Sequence, residues 1–197
     1  MQAHKLQVKI FAQPGSLATP EMFIPVFHGW IKNRLLPELM IDVANYAHVP
    51  KGPGVVLIGH TCDYFMDEAD GRLGLLHNRK RSPVAPSDRL ADAFRRVLHA
   101  AAVLESEPAL AGKLRFSTGE FLFRVNDRLI ASNTDEAFAA VKPELEALAA
   151  TMFAGPFEIA RVGDAKDLLT ARVASRAGAD RGVNPSTLLA RLGGPPV

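Results

Sequence analysis

Between residues 38 and 76 the sequence presents one strand-like run after another, with turn formers between them and no helical stretch. Residues 38–43 and 55–58 read as two strands, and the second, Val55-Val56-Leu57-Ile58, is apolar at every position. A wholly apolar run bounded by glycine is expected at the centre of a sheet, covered on both faces. Pro50-Lys51-Gly52-Pro53-Gly54 supplies a stiff connector between the two. Residues 64–66 and 73–76 follow, flanking Asp67-Glu68-Ala69-Asp70-Gly71, whose Asp-Gly step signals a hairpin. Parallel neighbours need a long crossover, usually a helix, whereas antiparallel neighbours need only a turn. Strands clustered in this way specify an α+β class rather than a doubly wound parallel sheet.

The flanking segments complete the pattern. Leu6-Gln7-Val8-Lys9-Ile10-Phe11 alternates apolar and polar, the period of a half-buried strand. Residues 23–36 place Phe23, Phe27, Trp30, Ile31 and Leu35 at steps of three and four, an amphipathic helix that accepts Pro25 only in its first turn and stops at Pro37. Ser87 and Asp88 offer an N-cap to a second helix ending near residue 105, with Leu90, Phe94, Val97, Leu98, Ala101 and Leu104 on one face and Arg89, Asp92, Arg95 and Arg96 mostly on the other. Strands are expected at residues 114–125, where Gly119 marks a bulge or tight turn, and at 129–131. Asn133-Thr134-Asp135-Glu136 opens a third helix to about residue 153, with Pro143 predicting a kink or a late start. Residues 157–162 read as a last strand and 164–173 as a short helix. The sum is an antiparallel or mixed sheet of about six to eight strands with three main helices packed mainly on one face.

No repeat or low-complexity linker divides the chain, so residues 1–174 are expected to form a single α+β domain. Residues 175–197 are richer in glycine and proline and read as a C-terminal extension carrying a short docking helix. Asn184-Pro185-Ser186 starts that helix, and Leu188, Leu189 and Leu192 share one of its faces. So short a helix is marginal alone in water. The extension is therefore expected to dock, on its own domain, on a sister subunit or on another protein.

Composition narrows the function classes. With 197 residues, 48% of them hydrophobic, the chain can bury a core without a disulfide or metal staple. The single cysteine, Cys62, excludes an intramolecular disulfide and suits a reducing compartment, so a cytoplasmic location is expected. The first residues carry Lys5 and Lys9 and no long apolar run, and no segment approaches the roughly 20 apolar residues of a membrane span. Formal net charge is only +2, and the one dense basic cluster is Arg79-Lys80-Arg81. A solvated loop explains that triplet, and nucleic acid is not an expected partner.

The sharpest candidate for chemistry is Gly59-His60-Thr61-Cys62-Asp63-Tyr64, at the end of the most apolar strand. If the strand continues, His60, Cys62 and Tyr64 share one face, and His60 and Cys62 sit about 6.6 Å apart along it, long for a direct bond between base and nucleophile. The candidate catalytic set is His60, Cys62, Asp63 and Tyr64. A candidate metal set is His60, Asp63, Asp67 and His77, contributed by a strand and its hairpin partner. Against these stand plainer readings: a small buried cysteine beside a histidine held by a backbone carbonyl, and a polar hairpin tip. There is no metal-type pair spacing, no closing glutamate for a calcium loop, no phosphate-loop lysine and no nucleophile elbow. The leading expectation is a non-catalytic binding or assembly protein, homo-oligomeric, meeting its partner through Leu188, Leu189 and Leu192. The alternative is a thiol- or metal-dependent enzyme with a pocket around His60, Cys62, Asp63 and Tyr64, and the second alternative a weak nucleic-acid binder through Arg79-Lys80-Arg81. No cofactor is specified.

Overall fold

In a computed structural model, which describes residues 2–50, 52–81 and 84–196, the alternating N-terminal segment forms β1 (Leu6–Ala12), followed by α1 (Phe23–Asn33). The hairpin-rich stretch becomes β2 (Met40–Tyr46), β3 (Gly54–Gly59), β4 (Cys62–Asp67) and β5 (Gly74–Arg79). The long helix α2 (Arg89–Ser106) comes next, then β6 (Phe116–Val125), α3 (Asp135–Met152), β7 (Phe157–Val162), β8 (Leu169–Ser175) and α4 (Pro185–Arg191). The strands make one eight-stranded sheet in the order β2-β3-β4-β5-β1-β6-β8-β7, with every neighbouring pair antiparallel. The α+β class is as the clustered strands required, with four α-helices among the described residues rather than three.

The strand alternation sorts side chains onto two unlike faces. Val8, Ile10, Leu57, Tyr64, Leu75, Phe121 and Phe123 meet the helices and form one core with Phe27, Trp30, Phe94, Leu98 and Leu104. The opposite face is roofed by long side chains instead. Lys9 is fully buried there, its Nζ 2.7 Å from Asp67 and 2.9 Å from Asp70. Arg72 lies 3.7 Å over the Phe11 ring and pairs with Glu120, which also holds Arg172, while Arg124 joins Asp70. Such stems cover apolar surface while their heads stay paired or wet.

Several local expectations are corrected. Val55, Val56 and Leu57 are buried, but β3 is second from the edge of the sheet rather than central. Residues 164–173 were expected as a helix; Leu169-Thr170-Ala171-Arg172-Val173 instead alternates along β8 and pairs with β6, so sheet pairing overrides the helix-forming composition. Residues 129–131 are not a strand: a turn covers 128–130, with Leu129 fully exposed. Gly119 does lie in a bulge: Ile10 faces Phe121 while the next residue, Phe11, faces Ser117. α3 continues through Pro143, capped by Thr134, whose hydroxyl accepts from Ala137 N.

The C-terminal segment docks within its own chain. Leu188, Leu189 and Leu192 are buried against α2, α3 and β6, so the leucine face expected to meet a partner is already occupied. Asn184 caps α4 by accepting from Ser186 N, Thr118 Oγ1 donates to the carbonyls of Asp180 and Val183, and Arg191 Nη1 donates to Met152 O at 2.8 Å. A ready-made groove with polar anchors removes much of the cost of ordering a short piece.

Two consequences can be measured. Leu188→Ala lowers stability in urea unfolding by about 2–5 kcal/mol, the range for emptying a buried leucine site, and leaves the gel-filtration volume unchanged. Burial alone would raise the Asp70 carboxyl, but the hydrogen bond and charge of Lys9, with Arg124, outweigh it and hold the group below its ordinary 3.8. A lowered carboxyl contributes stability above the unfolded value and loses it as pH falls through the folded one. Asp70→Asn therefore lowers the melting temperature at neutral pH, and the gap to the native protein narrows on acidification below about pH 4.

Candidate functional site

The site begins at a turn. β3 and β4 reverse over His60 and Thr61, because Ile58 pairs with Asp63 and the strand does not run on as expected. Gly59 permits the reversal: a Cβ there would sit 2.6 Å from both the Cys62 carbonyl oxygen and Met40 Cε. From Cys62 onward the alternation holds, so Cys62 and Tyr64 point to the helix side and Asp63 to the other. β4 pairs with β5 in a register that sets Tyr64 opposite His77 and Cys62 opposite Arg79. α2 lies against β5 and adds Asp92 and Arg96, one turn apart, and the segment leading into β2 adds Glu38.

These side chains form one buried network. Glu38 Oε1 accepts from Tyr64 Oη at 2.9 Å and from Arg96 Nη1 at 2.5 Å, and Cys62 Sγ lies 3.5 Å from the same oxygen. Asp92 Oδ2 accepts from Arg96 Nε at 2.8 Å and from Arg79 Nη2. Against this well-paired background three buried atoms have no hydrogen-bond partner among the described residues: Glu38 Oε2 and both ring nitrogens of His77. His77 is fully buried, its ring 5.2 Å from that of Tyr64. One donor atom from each of Glu38, Cys62 and His77 can be chosen so that all lie within 4.8 Å of one another, the one such group of three metal-type donors among the described residues. Leaving buried polar groups unpaired costs about 1–3 kcal/mol each.

Electrostatics define the protonation states. Burial, then the charges of Arg79 and Arg96, drive His77 well below its usual 6.5, so the ring is neutral. Burial and the Glu38 carboxylate push the Cys62 thiol far above its ordinary range, and the same two causes raise Tyr64, keeping its hydroxyl a donor. A thiolate–imidazolium pair, which a nucleophilic cysteine requires, is opposed at both partners. A neutral imidazole with a free lone pair is, by contrast, the form that binds metal.

A cavity of about 220 Å³ opens beside the network, between residues 37–39, the β3–β4 turn and α2, and Glu38, Cys62, His77, Arg79 and Arg96 line it. Of the residues singled out in the sequence, Cys62, Tyr64 and His77 are inside the network, and His60 is exposed at the pocket. Asp63 and Asp67 lie on the opposite face of the sheet. Asp63 accepts from Lys80 at 2.7 Å and from Asn78, and Asp67 holds Lys9, so neither approaches His77 as a ligand. The basic triplet is divided too: Arg79 turns inward to Asp92, Lys80 pairs with Asp63, and only Arg81 is exposed. Glu38, Asp92 and Arg96 were not singled out as site residues by the sequence. Asp92 and Arg96 at i and i+4 on the polar side of α2 were the available signal, but nothing local marks Glu38.

No family model matches the chain, and comparison with curated proteins and with solved structures finds no match. No described helix is long and apolar enough to cross a membrane.

Because Cys62 is both buried and held as a thiol, it reacts slowly with a disulfide reagent in the folded protein at neutral pH and rapidly once urea unfolds the chain. Equal rates in the two states would contradict the geometry.

Proposed function

We propose that the protein binds a divalent transition-metal ion, zinc being the best chemical match, through Cys62 Sγ, a ring nitrogen of His77 and Glu38 Oε2, and that this centre serves the adjoining small-molecule pocket. The observation that carries the reading is the set of orphaned buried atoms on Glu38 and His77, gathered around the one cysteine. Sulfur, imidazole and carboxylate together suit zinc, and three protein ligands beside a cavity follow the pattern of centres that keep one position open for chemistry. Tetrahedral zinc with ordinary bond lengths would hold its ligand atoms about 3.3–3.6 Å apart, so the widest pair would close by no more than about 1.5 Å. A metal ion deprotonates a coordinating thiol outright, which reverses the effect of burial on Cys62. Tyr64 and Arg96 orient Glu38 through its other oxygen, as outer partners of metal ligands do.

This favours the metal-dependent form of the enzyme alternative over a purely assembling protein, whose leucine face is taken up by the domain itself. The nucleic-acid alternative loses support because two cations of the basic triplet are already paired.

Metal analysis of the full chain after dialysis against zinc or cobalt tests the proposal. One ion per chain is expected, and the cobalt form shows a thiolate charge-transfer band that Cys62→Ser abolishes. His77→Gln loses the ion, and Tyr64→Phe weakens metal affinity about 10–100-fold by releasing Glu38. A chain that binds no metal, or a Cys62→Ser variant that binds it as well as the native protein, overturns the proposal.

A further inference from the structure

The charges around the pocket point to what it takes up. Three guanidinium groups, Arg79, Arg81 and Arg96, face two carboxylates, Glu38 and Asp92, so the lining carries a net positive charge. Asp92 is shared by Arg79 and Arg96, and Arg96 also holds Glu38. Arg81 alone of the three makes no side-chain hydrogen bond or ion pair with the described residues, while its backbone is fixed at the pocket: Lys80 N and Arg81 N both donate to Thr61 O, at 2.9 and 3.1 Å. Pro37, Leu39 and Val84 supply apolar wall nearby. A bound divalent ion, with Cys62 as thiolate, would add one further positive charge to this lining.

Resting on the metal reading above, we propose that the pocket's ligand is a small molecule bearing an oxyanion group, which takes the metal's open position with one oxygen and the Arg81 guanidinium with another. A guanidinium presents paired donors whose spacing matches the oxygens of a carboxylate or phosphate, and charge-assisted bonds of this kind are stronger than neutral ones. The apolar wall leaves room for the carbon part of the molecule. In this arrangement Arg81 is a binding residue, whereas Arg96 positions Glu38 and is not available to the ligand.

Titrating the cobalt-loaded full chain with acetate, and separately with inorganic phosphate, tests this through the visible ligand-field bands. A saturable spectral change is expected with at least one of the two anions, and the arm that gives it identifies the oxyanion. Arg81→Gln should weaken that anion's apparent affinity at least tenfold while leaving cobalt content and the anion-free spectrum unchanged. Spectra unmoved by either anion, or an Arg81→Gln variant that titrates like the native protein, overturns the proposal. A chain that takes up no cobalt overturns the metal reading and with it the metal-bound oxygen. Calorimetry of the metal-free protein with the same two anions then judges the remaining part: an Arg81-dependent binding heat retains the Arg81 grip, and its absence overturns that as well.

Discussion

Asp92 is held between two guanidinium groups, Arg79 on β5 and Arg96 on α2, and Arg96 reaches on to Glu38. Burying any one of these charges without its partners would cost several kcal/mol, so they are tolerable only as an alternating row. The row fixes where α2 lies on the sheet and draws the segment before β2 in against it. The pocket exists because that segment, the β3–β4 turn and α2 are held at a distance set by side chains that must pair.

The same network leaves a remainder. Glu38 spends one carboxylate oxygen on Tyr64 and Arg96 and, among the described residues, keeps the other without a partner, beside a histidine with two unpartnered nitrogens. In a protein that satisfies Lys9 twice over on the far face of the sheet, such neglect on the near face is informative. The neutral state of His77 and the suppressed ionisation of Cys62 argue against acid–base chemistry by these groups alone. On the proposed reading, a bound metal ion would use both lone pairs.

Much of the architecture was legible in the chain. Period-two alternation placed β1, the apolar run placed β3, and helical spacing placed α1 and α2, because each pattern is the local record of which face is buried. The site was legible only in part. Cys62, Tyr64 and His77 stood out as chemistry-bearing residues near a hairpin, but the expected run-on of β3 put His60 among them, and the acids chosen as ligands, Asp63 and Asp67, fall on the wrong side of the sheet. His60 leaves the strand because β3 and β4 reverse over residues 60 and 61, while alternation along β4 keeps Asp63 and Asp67 opposite Cys62 and Tyr64.

By itself, then, the sequence determined the α+β class, the antiparallel hairpins and the one cysteine on which any thiol chemistry would have to rest, since composition and periodicity are local properties. Only the tertiary structure decided that Glu38 joins Cys62 and His77, that Arg79 is buried while Arg81 is exposed, and that the C-terminal leucines serve the chain's own core. Those outcomes depend on strand register and on how a helix and a loop meet a sheet. Glu38 lies 24 residues from Cys62 and 58 from Arg96, and at such separations no local pattern carries the pairing.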